Sequence, residues 1–319
     1  MTTRCGFVAL VGQPNAGKST LLNALVDWPV AAVTPKPQTT QRLWRGIVTQ
    51  QSCQTIWVDS PGQLDPVNAL QTYMHDQYKK VFANCDVLVH VESLAKYLPE
   101  QCQRMQSQPE QLLQDVICAD RPFFSGWDTK KPHLLVLNQI DRLPQKQVQQ
   151  LAQRYQAAVG KKVPLCLLSA RTGEGVKQLQ RQINSCLPTG PFLFDADLIT
   201  DASERLLTAE CIRHQAMLQL RQELPYCVAV TIEQFNEKRR FDKHKPLVDI
   251  TAIVHVQRTS QRAMVIGKNA NRIKAIGTAA RQTVQRLLDC PVMLRLLVRV
   301  QPNWTKEVGS LRKLGYTDS

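Results

Sequence analysis

One stretch near the N-terminus has the residue types and spacing needed to bind a phosphate chain. Residues 12–20 read GQPNAGKST and satisfy the pattern G-x-x-x-x-G-K-[ST]. Glycines let backbone N–H groups wrap phosphates, and a helix that begins there adds positive potential. We expect Lys18 to bridge the β- and γ-phosphates and the Ser19 hydroxyl to bind Mg²⁺. The predicted contacts are Gly12, Gln13, Pro14, Asn15, Ala16, Gly17, Lys18 and Ser19.

A second stretch, VDSPG at residues 58–62, places a carboxylate directly after an apolar run. We expect Asp59 to hold Mg²⁺ through water and the Gly62 N–H to meet the γ-phosphate. A type I turn is the alternative interpretation, and the preceding phosphate motif favours the functional one. The predicted contacts here are Asp59, Ser60, Pro61, Gly62 and Gln63.

Two later stretches, LVLNQID and LLSARTGEGV, carry groups suited to guanine. The Asp141 carboxylate can accept two hydrogen bonds from guanine, whereas adenine lacks that donor pair and would leave a buried carboxylate unpaired. The backbone N–H groups of Ser169 and Ala170 can reach the guanine O6. The predicted base contacts are Asn138, Gln139, Ile140, Asp141, Ser169 and Ala170.

The polar segment TPKPQTTQR, residues 34–42, lies between the two phosphate motifs. Thr39 or Thr40 could add a hydroxyl ligand to Mg²⁺ when the γ-phosphate is present, which would order this segment as a switch. Thr40 is the preferred candidate. An ordinary polar loop is the alternative.

Near the C-terminus, AMVIGKNANRIKAIG (263–277) reads as an apolar strand end, a short loop and a basic helix. It resembles the GxxG loop that clamps a nucleic-acid backbone, with Ala270 in place of the second glycine. We expect Asn269 to adopt the left-handed conformation, because Ala270 restricts positive φ. The candidate RNA contacts are Gly267, Lys268, Asn269, Ala270, Arg272 and Lys274. A degenerate loop that only caps a helix is the alternative.

The elements that must position these residues alternate between strands and helices. Apolar runs predict strands at 6–12, 42–50, 54–62, 85–92, 133–141 and 163–170, and helical spacing occurs at 19–27, 67–82 and 145–159. This alternation predicts an α/β fold with a mostly parallel sheet and helices on both faces. Segment 93–132 is assigned no function.

The remainder of the chain predicts a smaller α+β domain. A helix should start at Asp201 and Glu204, followed by strands at 226–235 and 246–257, a helix at 271–288 and a strand at 291–300. The predicted boundaries are a first domain at 1–187, a linker at 188–200 and a second domain at 201–319.

Composition narrows the class of protein. The 319 residues carry a net charge of +14, and the excess of Lys and Arg in the C-terminal third favours a polyanion partner. The ten cysteines lack a C-x-x-C spacing, so reduced, buried thiols are expected. No apolar run approaches the ~20 residues of a membrane span, and no cleavable signal is evident, so we expect a cytoplasmic protein.

The order GQPNAGKST, PQTT, DSPG, NQID, SARTGEG resembles bacterial translation-factor-class GTPases. The stretches ELPYCVAVTIEQF, MVIGKNANRIKAIG and NWTKEVGSLRKLGY resemble the Era family, which joins a GTPase domain to a type II KH domain. The resemblance covers nearly the whole chain. It implies Mg²⁺-dependent hydrolysis of GTP to GDP, coupled to binding the 3′ end of small-subunit ribosomal RNA during 30S assembly. It also implies loose association with the membrane surface, for which an anionic surface is the expected partner. We expect the protein to be a monomer.

Four positions depart from that family's pattern. Gln139 replaces a lysine whose stem covers the purine, so we predict weaker nucleotide binding with the guanine preference kept. Ser60 stands where threonine is usual, and Gln41 where arginine commonly follows the paired threonines. Gln63 stands where an apolar residue is usual, and it could orient the attacking water; a solvent-facing loop residue is the alternative.

The leading hypothesis is thus a GTPase with Lys18, Thr40 and Gln63 as its catalytic residues. A non-catalytic RNA-binding protein with a structural nucleotide pocket, and a GTPase acting at the membrane surface, are the alternatives.

Overall fold

The computed structural model describes residues 2–34, 36, 39–62, 65–98, 131–160 and 163–316. The chain divides into two compact units. The first comprises Met1–Ala31, Leu43–Gln63 and Gln77–Asp201, and the second comprises Ala32–Arg42, Leu64–Asp76 and Ala202–Ser319.

The first unit is built on a six-stranded sheet. Its strands are β1 (Arg4–Val11), β2 (Trp44–Gln50), β3 (Cys53–Asp59), β4 (Val87–Ser93), β5 (His133–Asn138) and β6 (Leu165–Leu167), in the order β2-β3-β1-β4-β5-β6. All neighbouring strands are parallel except β2 and β3, which form an antiparallel hairpin. The predicted mostly parallel sheet is therefore confirmed.

Four helices cover this sheet: α1 (Lys18–Val26), α2 (Ala69–Asn84), α3 (Gln145–Val159) and α4 (Val176–Cys186). The C-terminal half of α2 packs on β1 and β4 through Tyr78 and Val81, and α3 packs on β5 through Leu151 and Tyr155. Helices α1 and α4 pack against each other and against β3.

Three predicted strands are longer than the observed ones. The strand predicted at 54–62 ends at Asp59, the one at 133–141 ends at Asn138, and the one at 163–170 is only Leu165–Leu167. The chain leaves the extended conformation beyond each end; Gln139, for example, has φ 68°. The candidate site residues therefore lie in loops at the carboxyl ends of the strands, where ligands bind in open α/β sheets.

The second unit contains a three-stranded sheet in the order β7-β8-β9. Its elements are α5 (Glu204–Gln219), β7 (Ala229–Arg239), β8 (Leu247–Val256), α6 (Thr259–Ile266), α7 (Asn271–Leu288), β9 (Val292–Val300) and α8 (Val308–Lys313). Strands β7 and β8 are antiparallel, and β8 and β9 are parallel. One face of β8 packs with α5 and α7 in a single apolar core.

Two local predictions in this unit were wrong. Residues 263–266, predicted as a strand end, form the last turn of α6. Their short apolar run does not distinguish the two states, and the Gln261 side chain caps the helix by accepting from Arg258 N at 3.1 Å. Helix α5 is capped by Ser203, whose hydroxyl accepts from Leu206 N at 3.2 Å, and not by Asp201.

Candidate nucleotide and RNA sites

The phosphate loop follows β1 and runs into α1. At two of its positions, Gly12 and Gly17, neighbouring atoms leave no room for a side chain. Gly12 has φ 138°, and a Cβ there would lie 2.2 Å from the carbonyl oxygen of Val91. Gly17 has φ 92°, and a Cβ there would lie 2.3 Å from Asn138 Nδ2. A side chain at either position would force the loop away from β4 or from the loop after β5.

Lys18 is buried at the start of α1. Its ammonium donates to the carbonyl oxygens of Gly12 and Gln13, both at 2.9 Å. Burial lowers the pKa of Lys18, and the nearby Asp59 carboxylate opposes that shift. Two neutral carbonyl oxygens hold the Lys18 ammonium over the loop. Phosphate oxygens carry charge, so they would form stronger hydrogen bonds to this ammonium and could replace the carbonyls.

Ser19 and Asp59, the two residues predicted to lie at Mg²⁺ in the sequence, are in direct contact in the structure. The Ser19 hydroxyl donates to Asp59 Oδ2 at 2.5 Å, and Asp59 is fully buried at the end of β3. An alcohol and a carboxylate side by side are the hard oxygen ligands that Mg²⁺ prefers. In the part of the chain that the structure describes, no group of three or more His, Cys, Asp or Glu residues could hold a metal.

Asn138 joins three loops. Its Nδ2 donates to the Ala16 carbonyl at 2.9 Å, and its Oδ1 accepts from Gln139 N at 2.8 Å and from Ala170 N at 3.0 Å. The side chain is 1% exposed. Asn138 therefore fixes the phosphate loop against both predicted base-binding loops.

The Asp141 carboxylate is held on both oxygens. Oδ1 accepts from the Ser169 hydroxyl at 2.5 Å, and Oδ2 accepts from Arg171 Nη2 at 2.6 Å. Burial alone would raise the pKa of Asp141, but the bonds from Ser169 and Arg171 outweigh it and the pKa is lowered. The group is thus ionised at neutral pH, as an acceptor for guanine must be. Sequence reasoning missed Arg171, which lies only one residue beyond the predicted pair.

Gln139 reaches the phosphate loop despite its shorter side chain. Its Nε2 donates to the Asn15 carbonyl at 3.3 Å, and its Oε1 accepts from the Ser93 hydroxyl at 2.8 Å. The Ser93 backbone N–H in turn donates to Glu92 Oε1 at 3.0 Å. Ser93 was not predicted, because nothing in the sequence pairs the end of β4 with this glutamine.

The Thr39–Thr40 segment packs within the second unit. The Thr39 carbonyl accepts from Arg213 Nη2 at 2.5 Å, and Gln41 Oε1 accepts from the Tyr316 hydroxyl at 2.7 Å. The Gln41 departure from the family pattern therefore has a specific partner. Gln63 and residues 99–130 lie outside the described residues.

The GxxG-like loop joins α6 to α7. Asn269 adopts the left-handed conformation as expected, with φ 52°, and Ala270 adopts it too, with φ 58°. Lys268 and Lys274 are exposed. Arg272 is engaged within the unit, since its Nη1 donates to the Met264 carbonyl at 2.5 Å.

The fold and these loops together define a class of protein. A phosphate loop between β1 and α1, an acid at the end of β3 and base-binding loops after β5 and β6 are the features of a P-loop GTPase. The second unit adds the α-β-β-α-α-β order of a KH domain.

Comparisons with known proteins narrow this class to one family. The family model described as 50S ribosome-binding GTPase matches residues 7–139, and the KH domain model matches residues 223–305. The GTPase Era of Caldanaerobacter subterraneus is 35% identical over 99% of this chain and 99% of its own. That of Azotobacter vinelandii is 37% identical over 99% of this chain and 98% of its own. The chain belongs to the Era family and is a GTPase.

Two solved structures are similar over the full length. A variant of Aquifex aeolicus Era bound to GDP and AlF4⁻ matches with TM-score 0.83 and 31% identity, covering 99% of this chain and all of its own. Era in complex with MgGDPNP and nucleotides 1506–1542 of 16S ribosomal RNA matches with TM-score 0.83, 30% identity and the same coverage. No helix among the described residues is long and apolar enough to cross a membrane.

Proposed function

We propose that this GTPase binds Mg²⁺ and GTP in the loops of the first unit and binds small-subunit ribosomal RNA near its 3′ end through the second. We further propose that it acts in assembly of the 30S subunit. The observation that carries the nucleotide assignment is Asn138, which is buried and joins the phosphate loop to both base-binding loops. The relative solved with MgGDPNP and 16S ribosomal RNA supports both ligands.

The proposed nucleotide site assigns a distinct task to each loop. Backbone N–H groups of residues 12–19, except Pro14, and of Gly62 bind phosphates. Lys18 leaves its carbonyl partners for the phosphate oxygens. Asp141 accepts from guanine while Ser169 continues to orient its other oxygen. Gln139 takes the place of the usual lysine beside the purine.

Ser19 and Asp59 would hold Mg²⁺, together with Thr40 in the triphosphate state. The metal, when bound, neutralises charge that develops on the transferred phosphoryl group. The protein's own contribution is to position: the Ser19–Asp59 bond already sets both oxygens side by side.

We propose that Gln63 orients the attacking water. Replacing it by alanine should lower the rate of phosphate release about tenfold or more if it performs the role that a positioned glutamine has in related GTPases. Gln71→Ala, on α2, is the matched control. Equal turnover in the parent and in Gln63→Ala would remove Gln63 from the mechanism.

The proposed domains are a GTPase domain at 1–187, a linker at 188–200 and a KH domain at 201–319. In the KH domain, Gly267, Asn269 and Ala270 bring backbone close to the RNA, and Lys268 and Lys274 contact phosphates. We place the protein in the cytoplasm as a monomer bound to precursors of the small subunit.

Crosslinking of the purified full chain to total RNA, with GTP or GDP present, tests the whole proposal. We expect ribosomal RNA of the small subunit to be recovered preferentially in one nucleotide state. Lys18→Ala should abolish GTP turnover, whereas Lys146→Ala, an exposed lysine on α3, should not. A chain that neither retains guanine nucleotide nor crosslinks to ribosomal RNA would refute it, and recovery on anionic vesicles alone would favour a membrane role.

A further inference from the structure

The end of β7 and the connection that follows it toward β8 form a second cationic feature of the KH domain. Residues 237–245, read EKRRFDKHK, contain five Lys or Arg residues and two acidic ones. We call these residues the hairpin tip. Every residue in it is exposed except Arg240.

Arg240 fastens the hairpin tip to the rest of the domain. Its guanidinium donates to both carboxylate oxygens of Glu204 at 2.6 and 2.8 Å, to Glu237 at 2.8 Å and to the Leu288 carbonyl at 3.1 Å. Asp242 Oδ1 accepts from the backbone N–H groups of His244 and Lys245. The tip is thus held by specific contacts, and the carboxylates of Glu204 and Glu237 are both engaged by Arg240.

In this arrangement the Phe241 side chain is exposed to solvent. It is 88% exposed, and the Arg240 guanidinium lies 5.8 Å from its ring centroid. An exposed aromatic ring among cations is a stacking platform for an unpaired base. Among the described residues, no ion pair involves Lys238, Arg239, Lys243 or Lys245.

The hairpin tip lies at the end of α7 away from the GxxG-like loop. The loop precedes Asn271, where the helix begins, and the tip contacts the carbonyl of Leu288, where it ends. The 18 residues of α7 span about 27 Å. No acidic residue occurs in this helix, and Arg281 and Arg286 are exposed between the two ends.

We propose that the hairpin tip is a second RNA-contact site, where Phe241 stacks an unpaired base and the four lysine and arginine side chains contact phosphates. The inference rests on the proposed RNA-binding function. A KH groove holds about four nucleotides, so a longer RNA must contact protein surface outside the groove. Helix α7, which contains no acidic residue, extends from the groove to the hairpin tip. A membrane surface would need more than one exposed apolar side chain here.

The test compares two RNAs on the full chain with a GTP analogue bound. One is a single strand of about four nucleotides, matched to the KH groove, and the other is several times longer and taken from the 3′ end of small-subunit ribosomal RNA. Phe241→Ala should weaken the longer RNA about tenfold, the scale of one base–aromatic stack, and leave the short one unaffected. Phe241→Trp should restore binding.

Charge variants give an independent measurement. Lys243→Ala should make the salt dependence of binding to the longer RNA shallower by about 0.7 in log–log slope, while Lys146→Ala on α3 should not. Lys268→Glu should weaken both RNAs, because it lies in the groove.

The outcomes separate this inference from the proposed function. If the parent binds neither RNA, the proposed function fails. If the parent binds the longer RNA and Phe241→Ala and Lys243→Ala bind it equally well, the hairpin tip is not an RNA site. Loss of binding to anionic vesicles in Phe241→Ala with RNA affinity unchanged would also overturn the inference and assign the tip to lipid.

Discussion

The nucleotide loops and the GxxG-like loop are held in their conformations by different kinds of interaction. In the first unit the functional side chains are already paired: Lys18 with carbonyls, Ser19 with Asp59, and Asp141 with Ser169 and Arg171. In the second unit Lys268 and Lys274 are exposed, and the loop conformation instead depends on two consecutive left-handed residues. The nucleotide site is thus held by hydrogen bonds that a ligand exchanges, and the RNA loop by backbone geometry.

Removing Asn138 should produce the largest effect, because three loops depend on one side chain. In Asn138→Ala the Ala16 carbonyl and the Gln139 and Ala170 N–H groups lose their partner, and a buried unpaired group costs about 1–3 kcal/mol. We expect GDP affinity to fall more than a hundredfold and the free energy of unfolding to drop, by fluorescence titration and urea denaturation. Asn84→Ala, near the end of α2, is the control. Near-parental affinity in Asn138→Ala would show that the loops are held independently.

The second prediction is that the two units lose stability at different acidic pH values. His255 on β8 is buried beside Thr231, and burial with the nearby Arg299 lowers its pKa to about 4. His255 binds a proton less readily in the folded unit than in the unfolded chain. Its contribution to the free energy of unfolding is therefore complete above about pH 6.5, and about 3 kcal/mol is lost as the pH falls from there toward 4. The lowered pKa of Asp141 acts in the first unit only below its ordinary value of 3.8.

Hydrogen exchange between pH 7 and pH 4.5 measures that difference. We expect protection in β8 to fall before protection in β5, and His255→Gln to remove most of the pH dependence in β8. If β5 opens first, or if His255→Gln leaves the profile of β8 unchanged, the histidine does not control the acid response.

Replacing Ala270 by glycine should change stability by a smaller amount and in the opposite direction, as a gain. A left-handed alanine is strained, and glycine relieves that strain at the expense of extra freedom in the unfolded chain. Ala270→Gly should raise the free energy of unfolding by about 0.5–1 kcal/mol and tighten RNA binding. The matched control Ala275→Gly, at an exposed position of α7, should lower stability by about 1 kcal/mol. A loss of stability in both variants would mean that Ala270 is not strained.

The smallest effect concerns Gln139 and Ser93. Ser93→Ala removes the bond to Gln139 and the bond that the hydroxyl accepts from Ala95 N. Only the first reaches the nucleotide loops, so we expect the dissociation rate of GDP to rise about threefold, since one neutral hydrogen bond contributes about 1 kcal/mol or less. Gln139→Lys should tighten nucleotide binding and reduce the effect of Ser93→Ala, because lysine has no acceptor for the hydrogen bond that the serine hydroxyl donates to Gln139. Stopped-flow release of a fluorescent GDP measures all four forms of the cycle, with Ser185→Ala as the control. Additive effects, or little gain in affinity from Gln139→Lys, would contradict the coupling.

Particular elements show where prediction from sequence succeeded. The spacing G-x-x-x-x-G-K-S indicated a phosphate loop because its chemistry is local: the glycines, the lysine and the serine all lie within eight consecutive residues. The apolar runs of β1, β4 and β5 were recognisable because both faces of a parallel sheet are buried. The boundary between α6 and the GxxG-like loop was misread, since a four-residue apolar run fits a helix or a strand equally well.

The sequence by itself determined the GTPase and KH class of this protein, because the residues that bind phosphate, guanine and an RNA backbone occur in short motifs in a recognisable order. Tertiary structure alone decided which side chains hold those motifs in place. Ser93 meets Gln139 across 46 positions, Asn138 meets Ala16 across 122, and Arg240 meets Leu288 across 48. Such contacts arise from strand order and helix packing, and no local pattern of residue types encodes them.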